Sequence, residues 1–310
     1  MTRAVVFAYH DVGVRCLRVL LAQGVKVPLV VTHVDDPGEQ IWFDSVERHA
    51  RWHGLDVITP ANAKSPELLA RVRATRPDFL FSFYYRHMLP PELLAAATRG
   101  AYNMHGSLLP KYRGRVPVNW AVLRGETETG ATLHAMVARA DAGGIVDAQA
   151  VPILPDDTAG EVFRKVTVAA EMTLQRSLPG LLAGTAVLRA QDESQASYFG
   201  RRTRADGAID WRAGATAVHN LVRAVAPPYP GAFALAHGLP LRVLRTMPAP
   251  GVAAAAQPEL RWVDGEVRAL CHDGALRLLQ FELDGRALDA AAFHARFGDA
   301  PVTLQNGSQT

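Results

Sequence analysis

Short apolar runs alternate with helix-spaced stretches through the first part of this chain. Ala4–Ala8 and Val27–Thr32 are uninterrupted apolar runs of strand length and read as buried strands. Between them, Val14–Ala22 carries apolar residues at helical spacing and stops at Gly24. The pattern continues with a helix over Asp44–Trp52 and a short strand at Leu55–Val57. Ser65-Pro66 then opens a helix that runs to about Thr75, Ser65 being an N-cap residue and Pro66 suiting the first turn. Phe79–Phe83 is the next strand, Pro90-Pro91 opens a helix ending near Arg99-Gly100, and Ala101–Met104 is another strand. Pro117–Leu123 reads as a short helix, Thr132–Val137 and Ile145–Val151 as strands, and Glu161–Leu182 as a long amphipathic helix.

Such alternation predicts an α/β fold: a Rossmann-like, mostly parallel sheet with helices on both faces, over residues 1–189. Residues 190–206 are polar and contain glycine, the composition of a linker. Residues 207–305 differ in character. A helix over Ala215–Val225 precedes Pro227-Pro-Tyr-Pro-Gly231 and short strand-like runs at Phe233–Leu235, Leu241–Leu244, Gly265–Ala269 and Leu276–Phe281. Spaced strands with Gly and Pro turns predict a small, OB-like β-barrel, with Pro248–Pro258 as a Pro/Ala loop inside it. Residues 306–310 form a polar tail, and no internal repeat is visible.

At 310 residues the chain exceeds the usual single domain, in keeping with that division. A net charge of +3 is too small to imply a nucleic-acid partner by itself. Cys16 and Cys271 can neither build a disulfide framework nor match a zinc pattern. The apolar run Ala4–Tyr9 is short and meets His10-Asp11, so it is neither a signal peptide nor a membrane span. These features point to a reduced, soluble, cytoplasmic protein.

Several familiar chemistries lack their motifs. Tyr9-His-Asp-Val-Gly13 does not have the spacing of a dinucleotide-binding loop, and no P-loop, zinc-protease or serine-hydrolase signature is present. What stands out is Ala101-Tyr-Asn-Met-His-Gly-Ser-Leu-Leu-Pro-Lys-Tyr-Arg-Gly114 with Ala140-Asp-Ala-Gly-Gly144 downstream. Asn103 and His105 are two apart, so on a strand they share a face. Ser107–Gly114 then reads as a loop under Pro and Gly control. An amide donor beside an imidazole, with a carboxylate to orient it, suits transfer of an acyl or formyl group to an amine. Taken alone, Asp141 reads as a turn residue. His10, at a strand end where open parallel sheets place ligands, is equally a surface-loop histidine. Phe81–His87 is an aromatic run that packs a core or forms a flat slot for a planar ring. Arg201-Arg202 is a solvated charge pair or a bidentate clamp for a diphosphate.

Asn103-Met-His105, Ser107-Leu-Leu-Pro110 and Asp141-Ala-Gly143 resemble the signature of the 10-formyltetrahydrofolate-dependent formyltransferases. Within that family the chain is most similar to the formyltransferase half of the bifunctional polymyxin-resistance enzyme, which formylates UDP-4-amino-4-deoxy-L-arabinose in lipid A modification. The similar stretches are Val5–Asp11, Thr32–Glu39, Phe81–His87, His105–Arg115, Gly125–Gly130 and Phe199–Thr203. They continue weakly through Pro230–Phe233, where Pro228-Tyr229-Pro230 stands in place of an expected Trp before proline. The resemblance implies that Asn103, His105 and Asp141 are catalytic, and that no metal is needed. It implies that His87, Met88 and Leu89, with Val137, Ala138, Arg139 and Ala140, contact the folate. It places Arg115 near the sugar nucleotide, with Arg201 and Arg202 as further diphosphate candidates.

The implied chemistry is attack of the free sugar amine on the formyl carbon of 10-formyltetrahydrofolate. Asn103 and protonated His105 stabilise the charge growing on the formyl oxygen, while Asp141 orients the imidazole and favours its charged form. Methionyl-tRNA formyltransferase is the alternative within the family. The acidic Asp35-Asp36-Pro-Gly-Glu39 argues against it, because this loop would repel phosphates that a tRNA enzyme must neutralise. A non-enzymatic, barrel-bearing nucleic-acid-binding module is disfavoured because residues 207–305 lack an aromatic-plus-Lys stripe. The expected partners are thus a UDP-amino sugar and folate, without nucleic acid or membrane insertion; oligomeric state is left open.

Overall fold

A computed structural model describes residues 1–252 and 254–307; part of the Pro248–Pro258 loop and the end of the polar tail, residues 308–310, lie outside the described residues. The chain forms two compact units. The first comprises Met1–Pro117, Glu128–Pro152 and Phe163–Gly200; the second comprises Val118–Thr127, Ile153–Val162 and the chain from Arg201 onward.

In the first unit the apolar runs become β1 (Arg3–Ala8), β2 (Lys26–Val31), β3 (Val57–Ile58), β4 (Phe79–Phe83) and β5 (Gly100–His105). The helices between them are α1 (His10–Ala22), α2 (Val46–Trp52), α3 (Pro66–Ala74) and α4 (Pro91–Leu94). β6 (Arg113–Gly114) and α5 (Pro117–Leu123) precede β7 (Glu128–Ala135), β8 (Ile145–Pro152) and α6 (Ala159–Ala183). The seven-stranded sheet has the order β3-β2-β1-β4-β5-β7-β8. Strands β1 to β5 pair in parallel, whereas β7 and β8 are antiparallel additions. Val5, Phe7, Leu29, Val31 and Leu80 pack with Leu68, Val72 and Leu93 into one core cluster. The intervening Ala4, Val6 and Ala8 are equally buried, so both faces of the sheet are covered, as parallel strands require.

Capping works as the residue types suggest: the Ser65 hydroxyl accepts from Leu68 N at 3.2 Å, and Pro66 fills the first turn. Two sequence expectations need correction. The short strand lies at Val57–Ile58 rather than Leu55–Val57, because its pairing is with Val30 and Val31. α4 stops at Leu94 instead of Arg99, since Thr98 N and Arg99 N donate to Pro77 O (3.2 Å) and Asp78 O (2.8 Å) and cannot also serve a helix. Residues 190–199 are woven into the first unit through β9 (Tyr198–Phe199), which pairs in parallel with β6.

The second unit carries α7 (Ala215–Val225) and an antiparallel barrel. Its strands are β10 (Ala232–Ala236), β11 (Leu239–Pro248), β12 (Glu259–Val263), β13 (Glu266–Leu270), β14 (Ala275–Leu283), β15 (Arg286–Leu288) and β16 (Val302–Gln305), with α8 (Ala290–Phe297) before the last. The order β11-β10-β16-β12-β13-β14 closes through β11–β14 pairing, and β15 adds to β14. Trp211, Val218, Val222 and Phe293 fill the interior with inward residues such as Val243, Leu260 and Phe281. Asn306, placed in the polar tail by sequence, is pinned: its Oδ1 accepts from Trp211 N at 3.0 Å and its Nδ2 donates to Asp210 at 2.8 Å. Among the described residues no helix is long and apolar enough to cross a membrane.

Candidate active site at the end of the fifth strand

β5 runs between parallel β4 and antiparallel β7, and its last turn of pleat carries Asn103 and His105 on one face. In the register with β7, Asn103 lies opposite His134 and His105 opposite Thr132. Thr132 fixes the loop that follows: its hydroxyl donates to Ser107 O at 2.7 Å and accepts from Leu109 N at 3.2 Å. The Ser107 hydroxyl donates to Lys111 O at 2.7 Å. This loop returns the chain to His105, whose Nε2 donates to Tyr112 O at 2.8 Å. Nδ1 is therefore the ring nitrogen left for chemistry.

Asp141 closes the site from the β7–β8 connection. Its Oδ1 lies 3.7 Å from His105 Nδ1, 3.5 Å from His134 Nε2 and 3.5 Å from Asn103 Nδ2. Its Oδ2 accepts from Gly114 N at 2.9 Å. The Asp141 backbone is left-handed, with φ +53°, a conformation unusual outside glycine. Gly143 must be glycine, because a Cβ there would collide with Ala135 O. Burial works to raise the Asp141 carboxyl. The positive charge of His105, the hydrogen bond and charge of His134 and the Gly114 N–H outweigh it and hold the group well below the usual carboxylate range.

His134 is the member that sequence reasoning missed. It is almost fully buried, with Nδ1 donating to Ala135 O at 2.9 Å and Nε2 lying 3.2 Å from Asn103 Nδ2. The only sequence signal was its place in an expected strand; the cross-strand register that sets it beside Asn103 is not written in local pattern.

The folate candidates fall into two behaviours. Met88 and Val137 are exposed apolar side chains, and His87, Ala138, Arg139 and Ala140 are at least partly exposed. Leu89 is buried in the same core cluster against which Met136 packs, so the two segments are anchored together. Arg139 pairs with Glu193 at 2.9 Å and lies 5.0 Å from the Tyr198 ring. In the aromatic run, Phe81 and Phe83 pack in the core with Phe79, and Tyr85 stacks on His33 at 4.2 Å. His10 opens α1 rather than lying in a surface loop, and is enclosed by Phe43, Phe163 and Trp42 at 3.8, 4.5 and 4.6 Å between ring centroids.

Among the arginines, Arg115 and Arg201 are exposed. Arg202 is half-buried, with its guanidinium 5.0 Å from the Trp120 ring and donating to Asp206 O at 2.8 Å. Arg113, to which the sequence pattern gives no role of its own, is fully buried. In the acidic loop, Asp35 accepts from Tyr9 Oη at 2.7 Å, and Glu39 takes both arms of Arg86, each at 2.7 Å. Part of that loop's negative charge is thus partnered internally.

The chain matches the family model described as formyl transferase over residues 20–178, and the model for the formyl transferase C-terminal domain over residues 201–298. Among solved structures it is similar to the N-formyltransferase from Helicobacter canadensis in complex with folinic acid and dTDP-3-aminofucose. That match has 20% identity and a TM-score of 0.70, and covers 90% of this chain and 99% of that one. It is also similar to WlaRD, a sugar 3N-formyl transferase solved in the presence of dTDP and 5-N-formyl-THF, at 19% identity and a TM-score of 0.71, covering 90% and 97%. Glycinamide ribonucleotide transformylase 1 from Symbiobacterium toebii matches at 23% identity and a TM-score of 0.53, over 62% of this chain and 95% of that one. At these identities the structural likeness establishes a shared fold.

Proposed function

The chain belongs to the formyl transferase family, and we propose that it transfers a formyl group from 10-formyltetrahydrofolate to the 4-amino group of a UDP-linked amino sugar, UDP-4-amino-4-deoxy-L-arabinose or a close analogue. Lipid A modification and polymyxin resistance are the corresponding biological setting. The observation that carries this reading is the convergence of Asn103, His105 and His134 on one oxygen of Asp141. The folate derivatives present with two structural relatives, and the dTDP-3-aminofucose in complex with one of them, support the substrate classes.

When bound, the folate supplies the activated formyl group. The residues that would hold it, His87–Leu89 and Val137–Ala140, offer exposed Met88 and Val137 as an apolar face for a planar ring. Asn103 Nδ2 donates to the oxygen on which negative charge grows, a contribution of roughly 10²–10³ in rate for one such donor. With Nε2 donating to Tyr112 O, Nδ1 is the ring nitrogen at which His105 takes up and releases a proton. From there it serves as a second donor and as a proton source for the departing nitrogen. Asp141 orients the ring and keeps charge of opposite sign beside it. Arg115 supplies a guanidinium fork for the diphosphate.

The deciding experiment mixes the protein with 10-formyltetrahydrofolate and a panel of UDP- and dTDP-amino sugars, with methionyl-tRNA as comparison. Mass spectrometry should find the formylated UDP-sugar. Product on the tRNA alone would overturn the acceptor assignment.

A further inference from the structure

Gln191 stands in the polar segment after α6, yet both ends of its side-chain amide are engaged inside the first unit. Nε2 donates to Asp141 O at 2.8 Å and to Gly143 O at 2.7 Å. Oε1 accepts from Arg113 Nη2 at 2.7 Å and from Arg113 Nε at 3.1 Å. Arg113 has no exposed surface, and its remaining N–H groups donate to Glu193 (2.7 and 3.1 Å) and Tyr198 Oη (2.6 Å). The amide orientation is fixed by chemistry: flipped, its NH2 would face a guanidinium and its oxygen two carbonyls.

The dipeptide Arg113-Gly114 therefore grips the Asp141 turn by two routes. The Gly114 N–H reaches the carboxylate directly at 2.9 Å, and the Arg113 side chain reaches the backbone of residues 141 and 143 through Gln191. The turn needs such holding, because Asp141 sits at φ +53° and other conformations of that backbone would carry the carboxylate elsewhere. We propose that Gln191 is a positioning residue: backed by buried Arg113, its amide fixes the 141–143 turn so that Asp141 Oδ1 faces His105, His134 and Asn103. The inference rests on the catalytic role proposed for Asp141, but the positioning is measurable without turnover.

The test compares wild type with Gln191→Ala, Gln191→Glu and Asp141→Asn. Gln191→Glu keeps an oxygen for Arg113 and loses both donors to the turn. Carbon-13 NMR of the Asp141 carboxyl, without substrate, should show it titrating at higher pH in both Gln191 variants than in wild type, as the groups that depress it separate. kcat should fall about tenfold, with both Michaelis constants within about threefold of wild type. An unchanged Asp141 titration in a folded Gln191 variant overturns the inference. Failure of both variants to fold also overturns it, assigning Gln191 to fold maintenance alone. If Asp141→Asn turns over normally while the Gln191 variants shift the Asp141 titration, the catalytic role proposed for Asp141 fails and the positioning stands.

Discussion

Gly114 donates its backbone N–H to Oδ2 of Asp141 at 2.9 Å, which leaves Oδ1 as the oxygen shared by His105, His134 and Asn103. Asp141→Asn cannot satisfy both sides. With its oxygen on Gly114, the new NH2 would face the Asn103 amide and the imidazoles. We expect a folded variant with kcat reduced about 10²-fold or more, and a similar loss in Asn103→Ala and His105→Ala. Steady-state kinetics alongside near-ultraviolet circular dichroism checks this. Near wild-type turnover in a folded His105→Ala variant would remove that residue from the mechanism.

Gly114 also tolerates no side chain. Its φ of +98° lies in the region that favours glycine, and a Cβ would collide with Phe199 O, the acceptor of the Arg115 N–H at 2.9 Å. Gly114→Ala should destabilise the fold by more than about 1 kcal/mol and lower turnover as well, because the Asp141 contact moves with it. Chemical denaturation together with an activity assay reads both effects. A variant as stable and as active as wild type would contradict the geometry.

Acid sensitivity should come first from buried histidines. Burial, with the charge of Arg86 second, pushes His10 down to about 3, below its unfolded value of about 6.5. Between those pH values the unfolded chain binds a proton that the folded chain refuses, so stability falls as the pH is lowered through this window. The slope from one such group reaches about 1.4 kcal/mol per pH unit. His33, lowered to about 4, and His219, also lowered, add slopes of the same sign. The depressed Asp141 acts in a lower window: its contribution is full above the unfolded carboxyl value, about 3.9, and is lost as the pH falls toward its folded value. His10→Asn, whose side chain tolerates the positive φ of +67°, should flatten the stability profile between about pH 6.5 and 4.5. Denaturation midpoints across that range decide it, and an unchanged profile would mean that His10 charges freely in the fold.

The arginines should separate by their surroundings. Exposed Arg115 and Arg201 are free to meet a diphosphate, so Arg115→Ala or Arg201→Ala should raise the Michaelis constant for the sugar nucleotide several-fold and spare folate binding. Arg202 lies on the Trp120 ring and donates to Asp206 O, so Arg202→Ala should lower thermal stability. Kinetics with each substrate varied separately tests the first pair. Unchanged constants in both variants would leave them as solvated charges.

The legible parts of this molecule were those in which local pattern and tertiary role coincide. β4 and α7 fall where periodicity places them, and the Asn103–His105 pair needed only the two-residue repeat of a strand. The misses are nonlocal. β12 alternates Arg261 with Leu260 and Trp262 and gains its identity from pairing with β13 and β16. α4 is cut short by hydrogen bonds to Pro77 and Asp78, and His134 joins the site only through strand register. Arg113 and Gln191 look like ordinary polar residues until 78 positions of chain are closed between them.

That closure has a consequence for synthesis. The seven strands of the first sheet have all left the ribosome's active centre once Pro152 is made, but Gln191, Glu193 and Tyr198 have not. A nascent chain at that stage holds a guanidinium destined for complete burial with none of these three side-chain partners, and burying such a charge alone is strongly unfavourable. Arg113 must therefore stay hydrated, and the Asp141 turn lacks its amide support, until the segment through Phe199 emerges. The candidate active site is completed by the last strand of its unit to be translated, well after the sheet that carries it.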